Sequence, residues 1–323
     1  MHRNGRLGDL PAGRGKEMGS IAGIAYHLGE LRPIDEVDFL RADAKRLELY
    51  KLAGFEQYAA SNLSMRELAH RSAIQTLDEC GIDRDDIGYC LYVAESFDRD
   101  ELVNSTEVNR LLVELGLENA VPIHISVSNC ANIMSAVRVA TALIESSAAR
   151  HVLIASVDKA SRRFAGRKMF QEMSVKSDVS VSCLVSGHDE GQYAILYLGQ
   201  HNAAGMVEME CVDSASYSVP KFKSIRGAAK HARETLDLTA ADFARIITNN
   251  YSQQVTKMFI ELCGFPREAG CYTNISRFAH AVAGDVLINL KDLETAGALN
   301  PGDRMFLMAD SVTSSSVLCL QKR

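Results

Sequence analysis

The segment that follows Cys130 is apolar on nearly every side of the helix that it predicts. The apolar residues form no single stripe along the predicted helix. They are Ile133, Met134, Val137, Val139, Ala140, Leu143 and Ile144. A helix without a polar face has to be buried. We therefore expect this segment to be an interior element of the fold.

Strand and helix patterns alternate along the rest of the chain. Ser64 and Glu67 form a capping box at the start of one helix, and Gly81 marks its end. The predicted helices span residues 64–81, 107–115, the segment after Cys130, 224–235, a segment from 240, 253–263 and 281–296. The predicted strands span residues 20–29, 88–94, 122–128, 152–157, 179–185, 193–198, 245–248, 271–274, 304–309 and 315–321. This alternation implies a sheet covered by helices on its faces.

Two further features concern topology. Residues 179–185 and 193–198 predict a hairpin across the turn at 187–191. The elements after Gly205 also repeat the order of the earlier ones, although no sequence repeat is visible. We expect two halves, residues 18–200 and 201–323, preceded by a disordered lead-in or tag at 1–17.

Composition excludes several classes of partner. The 323 residues are 47% hydrophobic and 24% charged with a net charge of −6, which is typical of a globular protein and does not favour nucleic-acid binding. No apolar run is long enough to span a membrane, and the start lacks the apolar core of a signal peptide. The eight cysteines include no Cys-x-x-Cys pair, so we expect neither a metal site nor disulfides. A reducing cytoplasm fits this pattern best.

Cys130 lies where a predicted strand stops at a small polar turn and the apolar helix begins. The turn is Ser128-Asn129-Cys130-Ala131. A thiol there is near the positive end of the helix dipole, which favours the nucleophilic thiolate. The alternative is a buried structural cysteine, since free cysteine mostly behaves as a small hydrophobic residue.

Three segments in this order resemble those of one enzyme family. Residues 128–132 stand where that family has its nucleophilic cysteine, residues 177–181 resemble its Asp-Gly-Ala segment, and residues 299–307 resemble its Gly-Asp turn before the penultimate strand. The family is ketoacyl-acyl carrier protein synthase III, of the thiolase superfamily, and the resemblance runs from about Ser20 to the C-terminus. It implies an α/β, thiolase-like layered αβαβα fold with two pseudo-equivalent halves. It also implies a homodimer, with residues 102–112 as candidate interface and gate.

The chain departs from that family at the residues of the condensation site. Asn249 stands in place of a catalytic histidine, and His280 in place of a catalytic asparagine. The glycine-rich loop near the end is replaced by residues 310–316, which contain no glycine. The Arg and Trp that contact coenzyme A in many synthases are missing, because Gln57 and Tyr58 occupy the arginine region and the chain has no Trp. Because the family uses its His and Asn together on the thioester carbonyl, we do not expect decarboxylative condensation.

A divergent branch of synthase III-like acyltransferases from secondary-metabolite pathways has a similar Asn-Asn-Tyr-Ser segment and a His followed by Asp. The resemblance to this branch implies Cys130 as the nucleophile, His280 as the general base and Asp285 as the residue that orients it. The residues alone leave alternatives open. His280 could be a hydrogen-bonded core histidine, and Asp285 could be a charge at a helix N-terminus.

The same resemblance implies an oxyanion and substrate-binding site. Its members would be the side chain of Asn249, the adjacent Asn250, and backbone amides of Cys130 and of the Val312 region.

The predicted function is therefore that of an acyltransferase. It would move an acyl group from a carrier-protein or coenzyme A thioester, through an acyl-enzyme on Cys130, to a hydroxyl, an amine or a second carrier. No cofactor is expected, because the acyl-phosphopantetheine thioester is a substrate. Two alternatives remain: a condensing enzyme that forms a carbon-carbon bond, and a catalytically silent partner subunit of a synthase.

Overall fold

The computed structural model describes residues 8–9, 17–95, 105–159, 174–188, 190–207 and 214–323, with the backbone alone for 8–9 and 214–217. Within the predicted lead-in, Gly8–Asp9 pairs antiparallel with a later strand, and the lead-in residues other than 8–9 and 17 lie outside the described part. None of the helices in these ranges is long and apolar enough to cross a membrane.

Most of the strands join one ten-stranded mixed sheet. In chain order the strands are β1 (Gly8–Asp9), β2 (Ser20–Leu28), β3 (Glu30–Pro33), β4 (Gln57–Ala60), β5 (Ile87–Val93), β6 (Val121–Ile125), β7 (His151–Asp158), β8 (Val179–Ser186), β9 (Tyr193–Asn202), β10 (Arg245–Thr248), β11 (Arg304–Asp310) and β12 (Ser314–Lys322). Their order in the sheet is β10-β11-β12-β9-β2-β8-β7-β5-β6, with β1 paired to β9, and β3 and β4 form a separate pair. Strands β5, β6 and β7 are parallel neighbours, so their carboxyl ends meet at one edge.

Helices lie on both faces of this sheet and between its two halves. In chain order the described helices are α1 (Asp38–Arg41), α2 (Ala44–Leu52), α3 (Met65–Cys80), α4 (Ser105–Leu115), α5 (Asn132–Glu145), α6 (Ser214–Leu236), α7 (Gln253–Leu262), α8 (Thr273–Phe278) and α9 (Asp285–Thr295). Helix α5 contacts β8, β7 and β5 on one side of β2 in the sheet and β9 and β12 on the other side, while α9 contacts β2, β10 and β11. Helix α3 covers the outer face of the first half, and α6 covers the outer face of the second. The layers are thus αβαβα, as predicted.

The interior position of α5 follows from its sequence. Ile133, Met134 and Val137 are at most 1% exposed, and they pack in one core with Val286 and Leu287 of α9. Burying such side chains contributes roughly 1.5–3 kcal/mol each. The two central helices are therefore held by apolar contact with both halves of the sheet.

The predicted start and end of α3 are confirmed. The Ser64 side chain accepts from the backbone N–H of Glu67, and the Glu67 carboxylate accepts from the backbone N–H of Ser64. Gly81 ends the helix with a φ of +62°, a left-handed conformation that favours glycine.

Three sequence predictions were wrong. The hairpin does not form, because β2 lies between β8 and β9 and carries the chain from one half of the sheet to the other. The strand expected at 271–274 is instead the start of α8, and the helix expected from 240 is only a 3-10 turn, Ala240–Asp242. Each of these segments is short, and tertiary pairing overrides a short periodic pattern.

Candidate active site

Cys130 lies in a 3-10 turn, Asn129–Ala131, between the end of β6 and the start of α5. Asn129 has a φ of +49°, which asparagine adopts more readily than most residues. The Asn132 side chain braces the turn, because its Oδ1 accepts from Ser128 N at 2.8 Å and its Nδ2 donates to Ser126 O at 3.1 Å. This turn places Cys130 just before the N-terminus of α5, where we expected it.

His280 lies in a loop between α8 and α9. The chain at Val175–Ser177 runs beside it: His280 N donates to Val175 O at 2.9 Å, and Ser177 N donates to His280 O at 2.9 Å. The ring of Tyr251 packs on the imidazole with 5.4 Å between centroids. Since His280 is only 3% exposed, both its backbone and its ring are held in place.

The three predicted catalytic side chains meet. Cys130 Sγ lies 3.3 Å from His280 Nε2, and His280 Nδ1 is hydrogen-bonded to Asp285 Oδ2. Asp285 is the first residue of α9, and its carboxylate also accepts from the backbone N–H of Ala281 at 2.7 Å and of Asn250 at 2.8 Å. The arrangement has the geometry of a Cys-His-Asp catalytic triad, and the roles of the three residues stay a prediction.

The charge of His280 depends on its two neighbours. Burial opposes a charged imidazole, but the Asp285 carboxylate and the Cys130 thiolate outweigh burial and raise the pKa of His280 from 6.5 to about 10. At neutral pH the ring is therefore an imidazolium. This cation lies within hydrogen-bonding distance of the Cys130 sulfur.

The other described cysteines lie in different environments. Burial raises the pKa of Cys90 and of Cys263 to about 12, so these thiols stay protonated. Among the described cysteines, Cys130 is the one whose sulfur is within hydrogen-bonding distance of a histidine.

Asn249 joins two loops beside the triad. Its Nδ2 donates to Val282 O at 3.2 Å, and its Oδ1 accepts from Asp310 N at 2.8 Å. An amide nitrogen carries two N–H groups, so one bond to Val282 leaves the second available for a substrate oxygen. Asn249 is 1% exposed, and these two hydrogen bonds give it a structural role, while its oxyanion role stays a prediction.

Asn250 and Val312 flank the same region. The Asn250 backbone donates to Asp285, and its side-chain Oδ1 accepts from Asn289 at 2.9 Å. Val312 is buried in the turn between β11 and β12, and both of these strands contact the 3-10 turn that carries Cys130. Asn249 and Asn250 thus lie beside the triad, and the oxyanion role of these residues and of Val312 stays a prediction.

Sequence reasoning missed three charged residues beside the triad. Lys176 pairs with His280 in an isolated parallel β-bridge, and its Nζ donates to Glu95 Oε2 at 2.7 Å. Glu95 N in turn donates to Asp158 Oδ1 at 2.8 Å. One signal was available in the sequence, since Glu95 and Asp158 each directly follow a predicted strand.

The structure gives no support for metal binding, because the described residues include no group of three or more His, Cys, Asp or Glu side chains placed to hold an ion.

Comparison with known proteins supports the fold. No family model matches the chain, and no curated protein matches its sequence. Solved structures match over 94% of the chain. The acyltransferase ChlB3 has a TM-score of 0.77 at 17% identity with 97% of its own chain covered. The 3-oxoacyl-(acyl carrier protein) synthase III, FabH, of Pseudomonas aeruginosa has a TM-score of 0.76 at 16% identity with 98% covered. Cerulenin-bound OleA of Xanthomonas campestris has a TM-score of 0.78 at 16% identity with 98% covered.

The fold is thiolase-like. The likeness confirms, at the level of the fold, the resemblance to ketoacyl-acyl carrier protein synthase III that the sequence indicated. In this thiolase-like fold the Cys130 turn follows β6, and His280 and Asp285 lie after β10. The candidate active site therefore joins residues that are far apart in the chain.

Proposed function

We propose that the protein is an acyltransferase that works through an acyl-enzyme on Cys130. It would take an acyl group from a carrier-protein or coenzyme A thioester and pass it to a hydroxyl, an amine or a second carrier. The observation that carries this proposal is the contact of Cys130 Sγ with His280 Nε2 at 3.3 Å, with Asp285 on the other ring nitrogen. One imidazole beside a thiolate is sufficient for both halves of an acyl transfer.

In the first half, the Cys130 thiolate attacks the carbonyl carbon of the donor thioester. A new carbon-sulfur bond forms, and the donor sulfur leaves as a thiolate. The His280 imidazolium then gives its Nε2 proton to that leaving thiolate. After the attack and before the donor sulfur leaves, the former carbonyl oxygen carries a negative charge. Asn249 and the backbone amides of Cys130 and of the Val312 region would stabilise this charge.

In the second half, His280 acts as the base. Acylation removes the negative charge of Cys130, which is one of the two charges that raise the pKa of His280. The neutral imidazole can then take the proton of the acceptor hydroxyl or amine as its oxygen or nitrogen attacks the acyl carbon. Cys130 leaves as a thiolate, and the original ion pair is restored.

Intact-protein mass spectrometry tests the proposal. The enzyme is incubated with a short acyl thioester of coenzyme A and, separately, of a carrier protein. The expected result is one acyl adduct that is absent in Cys130→Ala and is discharged by a hydroxyl or amine acceptor. Absence of an adduct with every thioester would overturn the proposal and favour the silent-subunit alternative.

A condensing activity is the second candidate, and the match to FabH favours it. A condensing enzyme releases carbon dioxide from a malonyl thioester, whereas an acyltransferase does not. The position of Asn249 argues for the acyltransferase, because this residue cannot supply the imidazole that a catalytic histidine would supply there. Measurement of carbon dioxide release with malonyl-coenzyme A separates the two candidates.

We also propose that the protein is a homodimer, assembled through β6. This strand is at one end of the sheet, and among the described strands it pairs with β5 alone. Val121 is 50% exposed at its start, and Val127 is 89% exposed just after its end. An unpaired edge with apolar side chains is suited to pair with its own copy about a two-fold axis.

The interface expected at 102–112 fits the structure less well. Residues 102–104 lie outside the described part of the chain. Val108, Leu111 and Leu112 of α4 are buried in the protomer's own core, so they are not available to a partner. A cytoplasmic location remains part of the proposal. The absence of a cofactor is also part of it, because the thioester substrate itself supplies the activated acyl group.

A further inference from the structure

A cluster of charged side chains beside the triad has no role in the transfer steps described above. Glu95 follows β5, Asp158 ends β7, and the turn of Cys130 follows β6. Because these three strands are parallel neighbours, the three residues lie at the same edge of the sheet. The carboxyl ends of parallel strands are common places for ligand sites.

Lys176 links this cluster to the catalytic histidine. Its backbone is bridged to His280, which places the two chain segments about 4.8 Å apart. Its Nζ donates to Glu95 Oε2 at 2.7 Å, and Glu95 N donates to Asp158 Oδ1 at 2.8 Å. One continuous series of contacts therefore runs from His280 through Lys176 and Glu95 to Asp158.

Electrostatic coupling confirms that these groups share one environment. Burial opposes the charge of Lys176, but the Glu95 carboxylate and the Cys130 thiolate outweigh burial and raise the pKa of the lysine. Burial and the Glu95 charge raise the pKa of Asp158, against the opposing effect of Lys176 and His280. Lys176 thus senses the charge of Cys130, and Asp158 senses the charge of His280.

One atom of the cluster is unsatisfied. Asp158 is 2% exposed, and its Oδ2 has no hydrogen-bond partner within the described ranges. Leaving a buried carboxylate oxygen unpaired is costly, so an atom of this kind calls for a hydrogen-bond partner. Next to a nucleophile that carries an acyl group, the natural partner is a polar group on that acyl chain.

Given the acyltransferase function proposed above, we infer that the acyl group carried by Cys130 bears a hydrogen-bond donor, a hydroxyl or an amino group, which binds Asp158 Oδ2. Among the described residues of this cluster, two carboxylates, Glu95 and Asp158, face one ammonium, Lys176. An acyl group with its own carboxylate, such as malonyl, is therefore disfavoured by charge repulsion. A plain alkyl acyl group is disfavoured because it leaves Asp158 unpaired.

The test compares rates of acyl-enzyme formation by intact mass. The probes are coenzyme A thioesters of butyrate, 3-hydroxybutyrate, 4-hydroxybutyrate, 3-aminobutyrate, 4-aminobutyrate and malonate. A hydrogen bond to a charged group predicts that the best hydroxyacyl or aminoacyl probe reacts about tenfold faster than butyryl or more. Comparison of the hydroxyacyl probes with the aminoacyl probes shows which hydrogen-bond donor is preferred.

Asp158→Asn is the informative variant. Asparagine keeps the Oδ1 acceptor for Glu95 N but replaces the unsatisfied acceptor with an N–H donor. The preference over butyryl is expected to fall to less than about threefold. Asp237→Asn makes the same chemical change at an exposed position far along the chain, and the preference should not change.

The outcomes are separable from those of the proposed function. If no thioester labels Cys130, the acyltransferase proposal fails. If Cys130 is labelled but wild type takes butyryl or malonyl as fast as every hydroxyacyl and aminoacyl probe, the present inference fails alone. A preference for the hydroxyacyl or aminoacyl probes that survives in Asp158→Asn also overturns the present inference. If that variant does not fold, the comparison of probes in the wild type alone tests the inference.

Discussion

His280 Nδ1 is hydrogen-bonded to Asp285 Oδ2, although five residues separate the two along the chain. This spacing does not align two side chains on one straight helix. The contact forms because His280 precedes the helix, and the turn at Val282, with a φ of +51°, folds the chain back over the first residue of α9. The position of the base therefore depends on this turn.

Asp285→Asn should impair both halves of the transfer. The amide cannot stabilise an imidazolium at His280, and it disturbs the ring tautomer. We expect the rate of acyl-enzyme formation to fall about 10²-fold or more. Single-turnover mass spectrometry measures that rate. The thermal midpoint of the variant is the control, because Asp285 also accepts from Ala281 and Asn250, and a fall in rate explained by unfolding would contradict the role given to the carboxylate.

Cys130→Ala should lower the pKa of His280. The thiolate is one of the two charges that raise this pKa to about 10, and alanine removes it while Asp285 remains. A His280 ring-proton titration by NMR, assigned with His280→Gln, measures the change. An unaltered pKa of His280 in Cys130→Ala would show that the charge of Cys130 does not act on the imidazole.

Protein stability should depend on pH through His280. Its pKa is about 10 in the folded protein and 6.5 in the reference state. A raised folded-state pKa contributes stability that is fully present below pH 6.5 and is lost as pH rises through 10. The difference in free energy of unfolding between wild type and His280→Gln should shrink over that window. Urea unfolding of both proteins from pH 6 to pH 10.5 measures it, and a difference that grows with pH would have the wrong sign.

Lys221→Met should destabilise the fold. Lys221 Nζ lies 2.7 Å from Asp310 Oδ1, and both side chains are at most 5% exposed. Removing the lysine leaves the buried Asp310 carboxylate without its counter-charge, although Ser315 Oγ still donates to it, and this costs about 3–5 kcal/mol. Urea unfolding gives the free energy. The double variant Lys221→Met, Asp310→Asn removes both charges and should recover part of the loss, whereas full additivity would show that the two residues do not interact.

Val121→Lys should weaken the proposed dimer. A charge at the β6 edge would be buried without a partner in the interface, and we expect dimerisation to weaken by about tenfold or more. Light scattering after size exclusion, over a range of protein concentrations, measures the assembly state. Val113→Lys on α4 is the matched control, since Val113 is 59% exposed and Val121 is 50% exposed. Equal effects of the two substitutions would exclude β6 as the interface.

Local sequence signals predicted the elements well where they were strong. The capping box at Ser64 and Glu67 located α3 within one residue, and the apolar segment after Cys130 is the buried helix α5. Such signals depend only on neighbouring residues, so they can be read without knowledge of the fold. Weak signals failed, as at 271–274, where a four-residue pattern cannot distinguish a strand from the start of a helix.

The sequence by itself determined a layered α/β fold and a cysteine at the start of a buried helix, and, through the resemblance, it predicted the three candidate catalytic residues. Only the tertiary structure decided that β2 separates β8 from β9, that Cys130 meets His280 across 150 residues, and that Lys176 and Glu95 lie beside them. These contacts join residues far apart in the chain. They are set by how the two halves of the sheet pack on α5 and α9, which no local pattern encodes.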